Sequence, residues 1–219
     1  MQLKIDFHVH TRHSHDSLIT PEELLFYAKK RGLDGVAITD HDTIEGALKI
    51  AKETNFLIIP GIEISSSDGH IIGLDIQELI PPKLGTDETV DKIHEAGGIA
   101  VACHPLTFFK ESLGKRTNSK FDAIEVINSS AFPFHYSVKH NRKLASQLGK
   151  VQIAGSDAHY GPEIGYAYTL VDAELDFEEV IKALRRGLCQ PFGNAIPLSM
   201  RLKREFFNLK KKIESSKIF

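Results

Sequence analysis

Cysteine is nearly missing from this 219-residue chain: only Cys103 and Cys189 occur, and neither belongs to a CxxC pair. A disulfide framework is thereby excluded, and a reducing, cytoplasmic setting is the expectation. No apolar run reaches the length that crosses a bilayer. Residues Met1 to Asp6 also lack the apolar stretch and small-residue cleavage site of a secretory leader, so no membrane partner is expected. An excess of one charge is absent too. With 27 Lys and Arg against 29 Asp and Glu, the net charge is -2. No global positive field gathers nucleic acid or anionic lipid, and any such partner must be held locally. Hydrophobic residues at 42% and charged residues at 26% exclude disorder as the main state. There is no internal repeat and no low-complexity segment, and the length suits one large domain. What the chain has in excess is histidine, 11 in all, several clustered with carboxylates.

Periodicity predicts strands over residues 3–7, 35–39, 56–64, 70–76, 99–103, 123–127, 151–154 and 168–171. Helices are predicted over 21–31, 43–53, 86–97, 136–148 and 177–186. Thr20, Pro21 and Glu23 form a helix start in which threonine caps and glutamate returns the bond. In the first strand, the two-residue period puts Leu3, Ile5 and Phe7 on one face and Asp6, His8 and His10 on the other. The segment 65–69 reads as the turn of a hairpin. Strand after strand is a near-continuous apolar run, which argues for a parallel sheet covered by helices.

About seven strand–helix units could make an open sheet or a closed barrel. Polar residues decide between them. His8 and His10 follow the first strand, Asp40 and His41 the second; Glu63 ends the third; His104 follows strand 99–103, and Asp157 and His159 follow strand 151–154. A barrel gathers such carboxyl-terminal ends around one mouth, whereas an open sheet spreads them along a line. A barrel domain over 1–195 is therefore expected, followed by a basic amphipathic helix within 196–219.

His8-Val9-His10 sets two imidazoles about 7 Å apart on one strand face, close enough to clamp one divalent ion. Asp157-Ala158-His159 repeats the spacing with a carboxylate. Gathering this many imidazoles and carboxylates without a cation is costly, since buried carboxylates repel and buried imidazoles need partners. Metal binding accounts for the set.

The motifs Asp6-Phe7-His8-Val9-His10-Thr11, Asp16-Ser17, Ile38-Thr39-Asp40-His41, Gly61-Ile62-Glu63, His104-Pro105, Glu125-Val126-Ile127-Asn128 and Gly155-Ser156-Asp157-Ala158-His159 occur in this order. The chain so read resembles, over nearly its whole length, the PHP (polymerase and histidinol phosphatase) superfamily of metal-dependent phosphoesterases. The resemblance implies an α/β fold, a distorted (β/α)7 TIM-like barrel, holding three divalent ions, commonly zinc, manganese or iron. It implies a first ion on His8, His10, Glu63 and Asp157, a second on Asp16, His41 and His159, and a third on His70 and His104 with Glu63 bridging to the first. Oxygen from Asp16, where some relatives have histidine, shifts preference toward manganese or iron. The implied reaction is hydrolysis of a small phosphomonoester, nucleotide or short oligonucleotide by a metal-bridging hydroxide. Asp157 and His159 are the catalytic candidates for protonating the leaving group.

For substrate, Lys110, Lys115 and Arg116 in the loop after His104 could clamp phosphate, as could Arg12. Asn128 and His135 are further candidates. His94 and His140, inside helices, are expected at the surface. Cys103 should face away from His104 as a small buried hydrophobe. In the terminal helix, Leu202, Phe206, Leu209 and Ile213 recur at helical spacing among Arg201, Lys203, Arg204, Lys210, Lys211 and Lys212. The expectation is packing of this helix across the barrel flank with its cations in solvent; RNA contact would require that surface to adjoin the metal cleft. Two other readings stay open: a metal-dependent amidohydrolase or deaminase, a barrel class that also opens with HxH, and a non-catalytic RNA-binding or assembly subunit on the same scaffold.

Overall fold

A computed structural model describes residues 1–108 and 111–215, with side chains of the last helix described as far as Lys210. Lys110 lies outside the described residues. In chain order the elements are β1 (Gln2–Val9), α1 (Pro21–Lys30), β2 (Gly35–Ile38), α2 (Glu45–Glu53), β3 (Leu57–Ser66), β4 (Gly69–Leu74), α3 (Thr86–Glu95), β5 (Ile99–Ala102), β6 (Ala123–Asn128), α4 (Phe134–Leu148), β7 (Val151–Gly155), β8 (Ala167–Asp172), α5 (Phe177–Arg185), β9 (Cys189–Gly193) and α6 (Leu198–Ser215). The capping box expected at α1 is formed: Glu23 N–H donates to Thr20 Oγ1, and Thr20 N–H to the Glu23 carboxylate.

This is an α/β fold with a nearly closed, barrel-shaped sheet of nine strands, ordered β7-β6-β5-β4-β3-β2-β1-β8-β9. The sheet is mixed rather than parallel throughout. β1–β2, β2–β3, β5–β6 and β6–β7 pair parallel, while β3–β4, β4–β5, β1–β8 and β8–β9 pair antiparallel. β9 escapes the sequence reading because Cys189-Gln190-Pro191-Phe192-Gly193 carries a proline and a glycine, which suit only an edge strand.

Two apolar layers follow from strand alternation. Val36, Ile62, Ala100 and Ile124 point outward, against Leu24 and Ala28 of α1, Ala47 and Ile50 of α2, Val90 and Ile93 of α3 and Ala145 of α4. Leu3, Ile5, Phe7, Ala37, Ile59, Val101, Ala123 and Ile153 fill the barrel, with Val180, Ile181 and Leu184 of α5 completing the same cluster. The polar residues lie above this plug.

At the mouth, the chain leaving β7 rejoins β1. Asp157 N–H donates to the His8 carbonyl (2.8 Å), His10 N–H to the Ala158 carbonyl (3.0 Å), and Val9 bridges Ala158. Gly155 makes this seam possible. A Cβ there would lie 2.3 Å from His8 Cβ and 2.8 Å from Glu125 Oε1.

Candidate metal centre

A register shift in β1 between Asp6 and Val9 breaks the simple alternation. Asp6 therefore does not share the site with His8 as the two-residue period implied. It accepts the backbone N–H groups of Ser156 (2.8 Å), Gly165 (2.9 Å) and His8 (3.3 Å), fastening β1 to the loops after β7. His8 turns inward with Phe7, into the layer that Glu63 supplies from β3 and Glu125 from β6. His104 and Asp157 follow β5 and β7 at positive φ, 34° and 55°. These sparsely populated conformations swing both side chains over the barrel axis.

Glu63 is the hub. Its Oε2 lies 3.1 Å from His8 Nε2, 3.1 Å from His10 Nε2 and 3.5 Å from His41 Nδ1. Its Oε1 lies 2.9 Å from His70 Nδ1 and 3.1 Å from His104 Nε2. Burial alone would raise its pKa, but the imidazoles of His8 and His41 and hydrogen bonds from His10 and His104 hold it well below the usual carboxylate range. Asp157 Oδ1 stands 3.4 Å from His10 Nε2 and 3.6 Å from His8 Nε2. Asp16 Oδ2 stands 3.1 Å from His159 Nε2 and 3.6 Å from His41 Nε2. The structure thus brings all nine of His8, His10, Asp16, His41, Glu63, His70, His104, Asp157 and His159 to one mouth. His70, on the hairpin strand β4, is only 15% exposed.

Neighbouring side chains orient this set. Glu125 Oε1 accepts from His8 Nδ1 (3.0 Å), and its Oε2 accepts the N–H of His104 (2.9 Å) and Asn128 Nδ2 (3.0 Å). Burial would depress the pKa of His8, but Glu125 and Glu63 overrule it and raise it to about 10. Burial carries His41 the other way, to about 3. Ser14 Oγ pairs with His10 Nδ1 (3.1 Å) and accepts the N–H of His41 (2.8 Å). Asp40 accepts the N–H and hydroxyl of Thr11 at 2.6 and 2.7 Å, fixing the loop after His10.

Groupings of ligand atoms within 4.8 Å of one another are His8, His10, Glu63 and Asp157; His10, Asp16, His41 and His159; His41, Glu63 and His70; and Glu63, Cys103 and His104. The donors fit divalent cations on two further counts. His8 Nε2 and His10 Nε2 face each other at 3.0 Å, and buried Asp16 Oδ1 has no hydrogen-bond partner. Imidazole with carboxylate is a set suited to zinc, manganese or iron.

Cys103 departs from expectation. Its Sγ lies 3.3 Å from Glu63 Oε1, the oxygen that His104 also reaches, because Cys103 shares the barrel-facing side of Val101 and the positive φ at His104 brings the imidazole round to that same side. Among the substrate candidates, Asn128 is buried, and its amide also donates to Asp157 Oδ2 (3.1 Å), so it orients carboxylates. Arg12, Lys115, Arg116 and His135 are exposed and are not part of the wall that the described residues form around the mouth; Arg116 instead faces Asp68 at 3.5 Å. His94, half-exposed on α3, pairs with Asp122.

That wall encloses about 450 Å³, and α6 is part of it through Arg204, Glu205 and Asn208. The flank position expected for this helix is wrong. Arg201 donates to the carbonyls of Ser129 (3.0 Å), Ser130 (3.1 Å) and Ile196 (3.1 Å), and Arg204 reaches Glu163 at 3.3 Å. Leu202, Phe206 and Leu209 are consequently 63%, 64% and 58% exposed. The arginines face the barrel because they find loop carbonyls and a buried carboxylate there.

Glu125 was legible as a lone charge in an apolar strand; Glu163 and Arg204, 41 residues apart, carry no local signal.

Residues 6–192 match the PHP domain family. An uncharacterized protein of Methanocaldococcus jannaschii is 40% identical over 141 residues, covering 58% of this chain and 82% of that one. A 5'-3' exoribonuclease of Haemophilus influenzae is 39% identical over 88 residues, 37% of this chain and 32% of its own length. Among solved structures, a two-domain protein from Bacteroides vulgatus containing a predicted PHP-like metal-dependent phosphoesterase superposes with a TM-score of 0.72 at 18% identity, covering 95% of this chain and 70% of that one.

Proposed function

The chain belongs to the PHP domain family, and from that premise we propose that it is a metal-dependent phosphoric ester hydrolase acting on a small phosphomonoester, nucleotide or short oligonucleotide. The observation that carries the reading is Glu63, whose two oxygens each face a separate set of imidazoles at 2.9–3.5 Å, as a carboxylate shared between cations must. His8, His10, Glu63 and Asp157 would hold one ion, Asp16, His41 and His159 a second, and His70 and His104 with Glu63 a third, from among zinc, manganese and iron. Such ions, when bound, acidify water toward neutrality and neutralise charge on phosphoryl oxygens.

The protein's own groups supply the rest. Glu125 fixes the ring of His8, Asn128 fixes Asp157, and Ser14 fixes His10. Asp157 and His159 are the candidates for returning a proton to the leaving oxygen. The ring nitrogen Nδ1 of His159 is committed to the Asp157 carbonyl (3.0 Å), so Nε2, beside Asp16, is the atom that would hold the second ion, and it carries a proton only while that ion is away. The barrel over 1–195 supplies the chemistry, and Arg204, Glu205 and Asn208 of α6, within the segment 196–219, supply part of the substrate wall. A reducing, cytoplasmic compartment suits a thiol at Glu63. Among the described residues, no helix is long and apolar enough to cross a membrane.

An oligonucleotide substrate draws on a separate observation. Tyr160 and Phe207, each next in sequence to a residue of the wall (His159 and Asn208), stack at 5.6 Å, and Phe207 lies one helical turn from Arg204. Aromatic faces beside cations suit a single-stranded end.

Chelator-treated protein should be inactive. Restoring manganese, zinc or iron separately should recover phosphate release from phosphomonoesters or diesters and leave amides untouched. Recovery on amides alone, or metal-independent RNA binding without turnover, would overturn the proposal.

A further inference from the structure

We propose that Arg204 of α6 grips the phosphoryl oxygens of the substrate, and that Glu205 occupies its guanidinium until the substrate displaces it. This deepens the phosphoesterase reading and rests on it. Arg204 is the only lysine or arginine among the described residues that line the mouth. It shares that wall with Asp16, His41, Glu63 and His159, so a phosphoryl group held at those side chains lies within its reach.

The guanidinium is held in place from behind. Its Nη1 lies 3.3 Å from Oε2 of Glu163, a fully buried carboxylate, and the same oxygen accepts the backbone N–H of His159 at 3.1 Å. One carboxylate therefore sets the position of the cation relative to the Asp157-Ala158-His159 loop. With a side chain only 16% exposed, Arg204 is largely desolvated, and a desolvated guanidinium needs such a partner.

The second contact is of another kind. Arg204 Nε lies 3.4 Å from Glu205 Oε1, but Glu205 is 66% exposed and adjacent in sequence, and consecutive side chains on a helix do not face each other. That link is weak and screened. A guanidinium offers five N–H donors in a fixed fork, and the two contacts leave donors for the mouth. A phosphoryl dianion presents two oxygens to this fork and outcompetes a single exposed carboxylate. Arg201 cannot serve in the same way, since carbonyls of Ser129, Ser130 and Ile196 take up its donors.

The test uses p-nitrophenyl phosphate turnover together with calorimetric binding of inorganic phosphate to the manganese-loaded protein. Arg204→Ala should raise KM and weaken phosphate binding by about 10- to 100-fold, with a smaller change in kcat. Arg204→Lys should recover only part of this, because an ammonium is a point charge. Glu205→Gln should act in the opposite direction and tighten both by about 2- to 5-fold. Lys203→Ala, an exposed neighbour outside the wall, should change neither. If Arg204→Ala does not fold, the lysine and Glu205 variants decide. Unchanged phosphate binding in Arg204→Lys, or weaker binding in Glu205→Gln, would overturn the clamp while ester hydrolysis by the wild type upheld the phosphoesterase reading. A wild type that neither hydrolyses the ester nor binds phosphate with any metal would overturn both.

Discussion

Replacing Gly155 by alanine tests the seam that closes the barrel. The added methyl would sit 2.3 Å from His8 Cβ and 2.8 Å from both His8 N and Glu125 Oε1. Carbon atoms rest about 3.5–4.0 Å apart, so β1 and β7 must separate by more than about 1 Å. Neither can yield freely, because Asp157 N–H is bonded to the His8 carbonyl at 2.8 Å and Glu125 holds the His8 ring at 3.0 Å. Overpacking of this kind costs about 1–3 kcal/mol, and the closeness of the backbone atoms places Gly155→Ala at the upper end. At about 2–4 °C per kcal/mol for a chain of this size, Tm should fall by about 6–12 °C. Displacing His8 from Glu125 should also weaken metal binding by about 10- to 100-fold. Gly149→Ala is the comparison. Its φ of 63° makes alanine strained by about 1–2 kcal/mol, but a Cβ there meets nothing within 4 Å. It should lower Tm and leave metal content intact. Calorimetric melting and elemental analysis after dialysis would measure both. A Gly155→Ala protein with wild-type Tm and full metal content would refute the claim that the site depends on this approach of two strands.

Other expectations follow from the same geometry. Glu63→Ala should lose more metal than Asp16→Ala, because Glu63 touches two sets of imidazoles and Asp16 only one; equal losses by elemental analysis would contradict a shared carboxylate. Without metal, His8 titrates near 10 against an ordinary value of 6.5. Its contribution to stability is therefore full below pH 6.5 and is lost as pH rises through 10, so chelated protein should melt progressively lower across that window. For the same reason, metal uptake at pH 7 should release a proton from His8, measurable by calorimetry in buffers of different ionisation enthalpy. Glu125→Gln should reduce that release and weaken metal binding by about 10- to 100-fold; an unchanged proton count would count against the pairing.

Much of the site was legible because the candidate ligands sit in short motifs at strand ends, where a two-residue spacing or a lone carboxylate in an apolar run is visible in isolation. His8, Glu63 and Asp157 are of this kind. The antiparallel placement of β8 was not legible, since Ala167–Asp172 has the same apolar character whichever way it pairs. The register shift in β1 depends on the partner strand, so the period alone grouped Asp6 with His8. α6 misled for a physical reason. Its apolar stripe suggested the buried face, but arginines that find loop carbonyls and a buried carboxylate reverse the helix. The partners concerned, Ser129, Ser130 and Glu163, are 41 to 72 residues away.

The helix that Arg201 and Arg204 bolt across the mouth divides labour within the chain. The reactive groups come from the strands and their immediate loops, while the wall that meets the rest of the substrate comes partly from a segment joined to them by one peptide connection. Exchanging the rest of that segment while keeping Arg201 and Arg204, the second of which shares Glu163 with the His159 loop, would retune which molecules are accepted and leave the reactive bowl undisturbed, so selectivity can drift while the chemistry stays fixed.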